Sequence, residues 1–423
     1  MNYRAPKGTP DMLPDTARAW EHLTRTAQTL FARYGFEPIY TPVFEHTEVF
    51  TRGIGEATDI VGKEMYTFTD KGDRSITLRP ENTASVVRAA LEHNLTANGQ
   101  AAKLYYAAPM FRYERPQKGR YRQFWQIGAE SLNMPEASAD AEMIEMLMAF
   151  FEAVGVPRES MRLLINSMGD QDCRPAYREK VANFIREHGT ELCEECNRRA
   201  ETNPLRAFDC KNEGCRVVMA QAPLLRDELC EPCAEHYAAV KAHLDGLGID
   251  YIEDPKLVRG LDYYTRTVFE VQVDAGLGSQ NAIGGGGRYD KLMESYGGAP
   301  TPGLGFALGF ERTMLALQAV GAQVPSPSLA EVYVARVDDC VGAEVFGITA
   351  QLRHAGIAAE MDHQARSLKS QFKQADRLGA RLVVVVGPDE LAAEEVTVRD
   401  MTTKEEARVA LDGLAEAVRA RLA

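Results

Sequence analysis

The sequence predicts an α+β fold in which an antiparallel β-sheet is flanked by helices, interrupted by a mostly helical insertion and followed by a separate α/β domain. Three observations lead there. Two pairs of β-prone runs are joined by polar turns, Met65–Phe68 with Ser75–Leu78 and Lys103–Glu114 with Tyr121–Leu132, and such pairs read as hairpins. Six cysteines fall between Cys193 and Cys233 among charged, helix-prone residues, a change of composition that marks an insertion. Beyond a breaker-rich stretch at 321–330, strand and helix patterns alternate as they do in α/β domains.

The elements follow in order. From Asp15 to Tyr34, Trp20, Leu23, Ala27, Leu30, Phe31 and Tyr34 recur at helical spacing and Gly35 stops the run, so an amphipathic helix is expected. The two hairpins come next, the second carrying the polar loop Arg115–Arg120. Thr265–Val273 is strand-like, Gly284–Gly287 is a glycine run that permits close backbone approach to a ligand, and Gly303–Phe306 leads into a helix over Glu311–Val320. The last domain reads as strand 332–337, helix 342–354, strand 357–361, helix 365–378 and strand 382–386. The expected boundaries are a domain over 1–320 interrupted by an insertion at 170–247, a linker at 321–330 and a domain over 331–423.

A chain of 423 residues is too long for one small binding module. Its longest purely aliphatic run, Leu382–Val386, is far short of a membrane span, and its amino terminus lacks the basic and apolar regions of a secretory signal. A cytoplasmic protein is expected, with neither membrane nor DNA as a partner. The net charge of −13 leaves nucleic-acid contacts to local basic patches. The eight cysteines do not resemble a secreted disulfide framework. They read as reduced, buried thiols, with structural zinc on Cys193, Cys196, Cys230 and Cys233 as the less favoured alternative.

The sharpest chemical signal is the second hairpin loop, where Arg112, Arg115, Lys118, Arg120 and Arg122 accompany a single carboxylate, Glu114. Guanidinium groups pair with phosphate oxygens in bidentate geometry at any relevant pH, so this loop suits a triphosphate or a nucleic-acid backbone. Arg259-Gly-Leu-Asp-Tyr-Tyr264 sets one arginine beside two phenols at the start of a strand. The glycine run lacks the lysine and hydroxyl residue of a P-loop.

Taken together and in order, these segments resemble the class II aminoacyl-tRNA synthetases, and within them the histidyl-tRNA synthetase family. Tyr40–Glu45 resembles the end of motif 1, Phe111–Phe124 resembles motif 2, and Gly303–Arg312 resembles motif 3. Arg259–Tyr264, Thr77–Thr83 and Gly286-Gly-Arg288-Tyr-Asp290 are similar to the signature specific to histidine. The resemblance implies a ligase that joins histidine and ATP into histidyl-adenylate and then esterifies the terminal ribose of its tRNA, with Mg2+ accompanying ATP.

It further implies roles for particular residues. Arg259 and Arg112 would be catalytic, holding the α-phosphate and the histidine carboxylate. Glu81, Asn82, Thr83 and Gln126 would surround the α-amino group, and Glu130, Tyr263, Tyr264 and Tyr289 the imidazole. For ATP, Glu114 would bond the adenine amino group, Phe124 and Arg312 would cover the two faces of the ring, and Arg120 would reach the outer phosphates. Arg115 and Gln117 would read the acceptor end of the tRNA. Arg366, Lys369, Lys373 and Arg377 fall on one face of the expected helix, which reads as a contact for tRNA phosphates or as a solvated basic face. The resemblance implies a homodimer paired through motif 1. Two other readings fit parts of the chain: a regulatory paralogue in histidine biosynthesis that charges no tRNA, and a zinc-ribbon nucleic-acid-binding protein without catalysis.

Overall fold

The helix that opens the chain runs Pro14–Arg33, with proline at its first position, and buries Ala19, Leu23, Ala27 and Phe31 on the stripe their spacing dictates. The computed structural model describes residues 3–55, 58–273, 281–325 and 329–423. Two units are distinguished, Met1–Pro325 and Ser326–Ala423.

The first unit is organised by an eight-stranded sheet. In spatial order its strands are Glu37–Pro38, Ala102–Phe111, Gln123–Leu132, Gly303–Gly309, Ala282–Arg288, Thr265–Val273, Met161–Ser167 and Ile252–Glu253. The six central strands pair antiparallel, and only the two-residue strands at the edges pair parallel. One face is covered by the opening helix and by Ala137–Ala153, whose Met143, Ile144, Leu147, Phe150 and Phe151 form the centre of the core with Phe31, Phe269 and Phe306. A separate three-stranded sheet pairs Ser75–Leu78 with both Phe44–His46 and Tyr66–Thr69.

The motif 2-like hairpin is shorter in its strands than its β-prone runs suggest, pairing only Ala102–Phe111 with Gln123–Leu132. Its loop is tied elsewhere instead: the amide of Tyr113 donates to the carbonyl of Glu64, and those of Arg122 and Gln123 donate to the carbonyl of Gly8. The glycine run is also a paired strand, Ala282–Arg288, between two neighbours.

The 170–247 segment contains four α-helices, Arg174–Glu187, Glu194–Thr202, Glu213–Met219 and Glu231–Gly246. It shares its core with the rest of the unit. Tyr237, Val240 and Leu244 of the last helix join the cluster around Phe150, while Tyr177, Val181 and Cys196 join one that includes Tyr263, Tyr264 and Tyr289.

The second unit is a five-stranded mixed sheet, ordered Ala359–Met361, Val332–Arg336, Leu382–Val386, Glu395–Asp400 and Glu406–Ala410. Val332, Val334, Val384 and Val398 pack on one face with Val345, Ile348 and Leu352 of the helix Gly342–His354. Its last two strands and the closing helix Leu414–Leu422 extend beyond the five elements read from the sequence. No described helix is long and apolar enough to cross a membrane.

Candidate active site

On the sheet of the first unit lies a cavity of about 1150 Å3, including its open mouth. Its wall collects side chains from segments distant in sequence: Glu81, Thr83, Tyr106, Arg112, Glu114, Arg120, Phe124, Gln126, Arg259, Tyr263, Tyr264, Glu270, Glu311 and Arg312. Adjacent antiparallel strands make this convergence, because alternate residues of each strand project to the same face.

Arg259 precedes the strand Thr265–Val273 and reaches Glu270 on it, with a guanidinium nitrogen 2.8 Å from the carboxylate. Gly285 makes room for it. A Cβ there would stand 3.0 Å from the Arg259 nitrogen and 2.6 Å from the Phe269 carbonyl oxygen. The close approach permitted by the glycine run therefore serves this arginine as well as the cavity. Burial works against the charge, but Tyr264, Glu270 and Tyr263 outweigh it and hold Arg259 firmly cationic. Its Nε is buried without a hydrogen-bond partner in the protein, so the group retains an unused donor. Arg112, across the cavity, is oriented by donation from its Nε to the Pro80 carbonyl at 2.9 Å.

The deeper end is built around Glu130, which is completely buried. The hydroxyls of Thr83 and Tyr289 each donate to its carboxylate at 2.6 Å, and that of Tyr106 at 3.3 Å. A Cβ on the cavity-lining Gly305 would collide with this carboxylate, which places Glu130 directly behind the wall at that glycine. Burial, opposed in part by the hydroxyl donors, pushes the Glu130 carboxyl up to about 8. Glu81 caps the helix Thr83–Glu92, accepting from the amides of Thr83 at 2.6 Å and Ala84 at 3.0 Å. Burial raises its carboxyl too, against those amide bonds. The Oε1 of Gln126 is buried with no donor in the protein. Buried acceptors of this kind suit an ammonium group.

At the other end, Arg120 and Glu114 form an ion pair at 3.1 Å, the Arg112 guanidinium lies 5.3 Å from the centroid of Phe124, and Arg312 donates to the Ala282 carbonyl at 3.1 Å. Glu311 accepts from the Trp125 amide at 3.1 Å, and burial pushes its carboxyl up to about 7. The Trp125 ring points to the opposite face and packs on Trp20, with centroids 4.9 Å apart. Arg115 and Gln117 are exposed on the loop and do not line the cavity.

Three expectations require correction. Asn82 is absent from the residues lining the cavity: its Oδ1 accepts from Thr41 Oγ1 at 2.7 Å and from Arg79 at 3.3 Å, which secures the joint between segments 41–42 and 79–82, while its Nδ2 is buried without a partner in the protein. Arg366 precedes the helix, which is Leu368–Leu378, because the Asp362 carboxylate accepts the Arg366 amide at 2.7 Å and fixes a turn there. Lys369, Lys373 and Arg377 remain exposed. The pairs Cys193–Cys196 and Cys230–Cys233 do not converge. The first joins Cys210 and Cys215, and the second joins Asp170 and Cys173.

Tyr106, Glu270 and Glu311 line the cavity without having been singled out in the sequence. Glu270 could have been found by counting alternate residues along the strand that follows Tyr264. Tyr106 and Glu311 sit in strand and motif contexts where nothing local separates them from packing residues.

A family model described as histidyl-tRNA synthetase matches residues 8–313, and one described as an anticodon binding domain matches residues 331–421. The histidine–tRNA ligase of Pelotomaculum thermopropionicum is 48% identical over 417 residues, covering 99% of this chain and 97% of the relative. That of Anaeromyxobacter sp. strain K is 49% identical over 419 residues, covering 99% and 100%. Among solved structures, apo histidyl-tRNA synthetase of S. aureus superposes with a TM-score of 0.84 at 39% identity, covering 99% of this chain and 100% of the other. With the cavity, the ordered motifs and near-complete coverage in agreement, the chain belongs to the histidyl-tRNA synthetase family.

Proposed function

We propose that the chain is a histidine–tRNA ligase, an enzyme that activates histidine with ATP and transfers it to the 3′-terminal ribose of its tRNA. The observation that carries this reading is one cavity uniting two opposed arginines, Arg112 and Arg259, with a polar pocket around Glu130. The histidine carboxylate attacks the α-phosphorus of ATP, the bond to the β-phosphate oxygen breaks, and pyrophosphate leaves. A ribose hydroxyl of the tRNA then attacks the acyl carbon, and AMP leaves. Both reactants of the first step are anionic, so fixed cations on the carboxylate and the α-phosphate bring them together and offset the charge that develops. Arg112 and Arg259 take those positions, and Mg2+ enters as part of the nucleotide substrate.

Glu81, Thr83 and Gln126 receive the α-ammonium, while Tyr263, Tyr264 and Glu130 enclose the imidazole. Tyr289 acts through Glu130, orienting its carboxylate. Glu114 and Arg120 part from each other to take the adenine amino group and the outer phosphates, and Phe124 and Arg312 hold the two faces of the base. A pocket bonded to both ring nitrogens leaves polar groups unpaired with any other amino acid, discriminating by roughly 10⁴ without editing. Arg115 and Gln117 face the acceptor end, and Lys369, Lys373 and Arg377 meet tRNA phosphates. Exposed Tyr40, Val43 and Phe44 in the motif 1-like segment support a homodimer paired there. The enzyme works in the cytoplasm.

The test is charging of a histidine tRNA transcript with labelled histidine by the full chain. Accumulation of alkali-labile, tRNA-bound histidine is expected. Its absence, with intact adenylate formation, would contradict the transfer step and leave the activation step standing.

A pH dependence follows from Glu130. To accept an imidazole N–H its carboxyl must be ionised, whereas in the free chain it holds a proton up to about pH 8. Histidine affinity is therefore expected to rise severalfold between pH 7 and about 8, and to fall again where the α-ammonium of histidine loses its proton. Calorimetric titration in buffers of differing ionisation enthalpy should register proton release on binding, and Glu130→Gln should flatten the profile. An affinity independent of pH in the wild type would remove Glu130 from the imidazole site. In the free chain, the same raised carboxyl gives a stability contribution present below its ordinary value of 4.5 and lost as pH rises through about 8.

A further inference from the structure

The sequence contains Cys193-x2-Cys196-x13-Cys210-x4-Cys215, and separately Asp170-x2-Cys173 and Cys230-x2-Cys233. The fold gathers each set of four at one point, with every pair of ligand atoms in a set within 4.8 Å. A tetrahedral zinc with Zn–S bonds of about 2.3 Å requires sulfurs about 3.8 Å apart. Cys193 and Cys210 Sγ stand 3.9 Å apart, and all eight cysteines of the chain are free thiols. Among the active-site residues described above, none belongs to either set.

We propose that the insertion holds two structural zinc ions, one bound by Cys193, Cys196, Cys210 and Cys215, the other by Asp170, Cys173, Cys230 and Cys233. Each site has four protein ligands and no open position, the mark of structural zinc. Helix N-termini and backbone amides are directed at several of the ligands. Cys193 directly precedes the helix Glu194–Thr202 and Cys230 the helix Glu231–Gly246, where the dipole favours a thiolate. The Cys193 amide donates to Cys215 Sγ at 3.2 Å, and the Asp170 amide lies 3.3 Å from Cys173 Sγ. At the second site Asp170 Oδ1 lies 3.7 Å from Cys173 Sγ and 3.6 Å from Cys230 Sγ, leaving Oδ2 to Arg266 at 3.5 Å. A partner that orients a ligand from outside in this way is typical of metal sites.

The sites explain how the segment is anchored. The first ties the helices Glu194–Thr202 and Glu213–Met219 together. The second clamps the entry of the insertion to the start of its last helix. Through Arg266, whose amide donates to the Gly169 carbonyl at 2.7 Å, it also joins the strand that begins just after Tyr264.

The test is metal analysis of the purified full-length protein by mass spectrometry, together with thiol titration. Two zinc ions per chain are expected, and one in each of Cys196→Ser and Cys233→Ser. In the native zinc-loaded protein only the exposed Cys340 should react, rising to all eight thiols after denaturation with a chelator. Chelator stripping of the wild type should lower its melting temperature, and zinc should restore it. Should the variants fail to fold, cobalt exchange into the stripped wild type decides, with thiolate-to-cobalt absorption saturating at two equivalents. Folded wild type that binds no zinc, that binds only one, or that carries iron would overturn the assignment.

Discussion

Replacing Arg259 with alanine is expected to lower the rate of histidine-dependent pyrophosphate exchange by about 10²- to 10³-fold, the usual cost of deleting one preorganised group from a developing charge. The loss should fall mainly on kcat, because the cation matters most where the carboxylate meets the α-phosphate. Arg259→Lys should not restore the rate, since an ammonium lacks the planar fork that can bond two oxygens at once. The reason to single out this arginine is geometric. It is held 2.8 Å from Glu270, passes over a glycine that leaves space for it, and keeps a buried Nε unpaired. Exchange in the alanine variant within threefold of wild type would remove Arg259 from catalysis.

The second large effect concerns stability. Arg288 and Asp140 form an ion pair with side chains 1% and 0% exposed. Arg288 also donates to the Met134 carbonyl at 3.0 Å and the Glu136 carbonyl at 3.3 Å, and His236 lies 3.3 Å from Asp140. Asp140→Ala leaves the buried guanidinium with only the partly exposed Asp290 carboxylate, at 3.3 Å, as a counter-charge and is expected to destabilise the first unit by about 3 kcal/mol. Replacing both members by apolar residues, as in Asp140→Leu with Arg288→Met, should recover part of that loss, because the fully buried charges go together and only the partly exposed Asp290 loses a partner. Burial raises the Asp140 carboxyl, but the bonds from His236 and Arg288 outweigh it and hold it below the ordinary range. Its contribution is therefore present above the ordinary carboxylate range and lost as pH falls through the lowered value. Denaturant midpoints for the two single variants and the double variant measure all three expectations. A cost below about 1 kcal/mol for Asp140→Ala would mean the site relaxes to admit water.

What could be read in the sequence was local. The opening helix declared itself through apolar spacing, the hairpins through their turns, and the phosphate-facing arginines through clustering on one loop. The long helix Ala137–Ala153 is harder to read: its outward stripe, Ser138, Glu142, Glu145 and Glu152, is narrow, and the buried remainder is a nearly continuous run of Ala, Met, Ile, Leu and Phe whose periodicity is weak. The Arg288–Asp140 pair joins residues 148 positions apart, and no spacing rule reaches that far. Asn82 sits between Glu81 and Thr83, which line the cavity, yet its Oδ1 turns toward Thr41, and nothing in the local sequence marks that difference. The cysteine pairs mislead for a related reason. Two similar Cys-x2-Cys units suggest one site, whereas folding gives each its own partners, and Asp170 carries no mark of a ligand in the sequence.

Activation of histidine is the chemistry for which this cavity is built. Its most direct test is exchange of labelled pyrophosphate into ATP by the purified wild-type chain, without tRNA, in the presence of each standard amino acid in turn. Exchange is predicted with histidine and, at roughly 10⁴-fold lower efficiency or less, with any other. No exchange from folded protein would contradict adenylate formation, and exchange driven by a different amino acid would contradict the pocket built on Glu130.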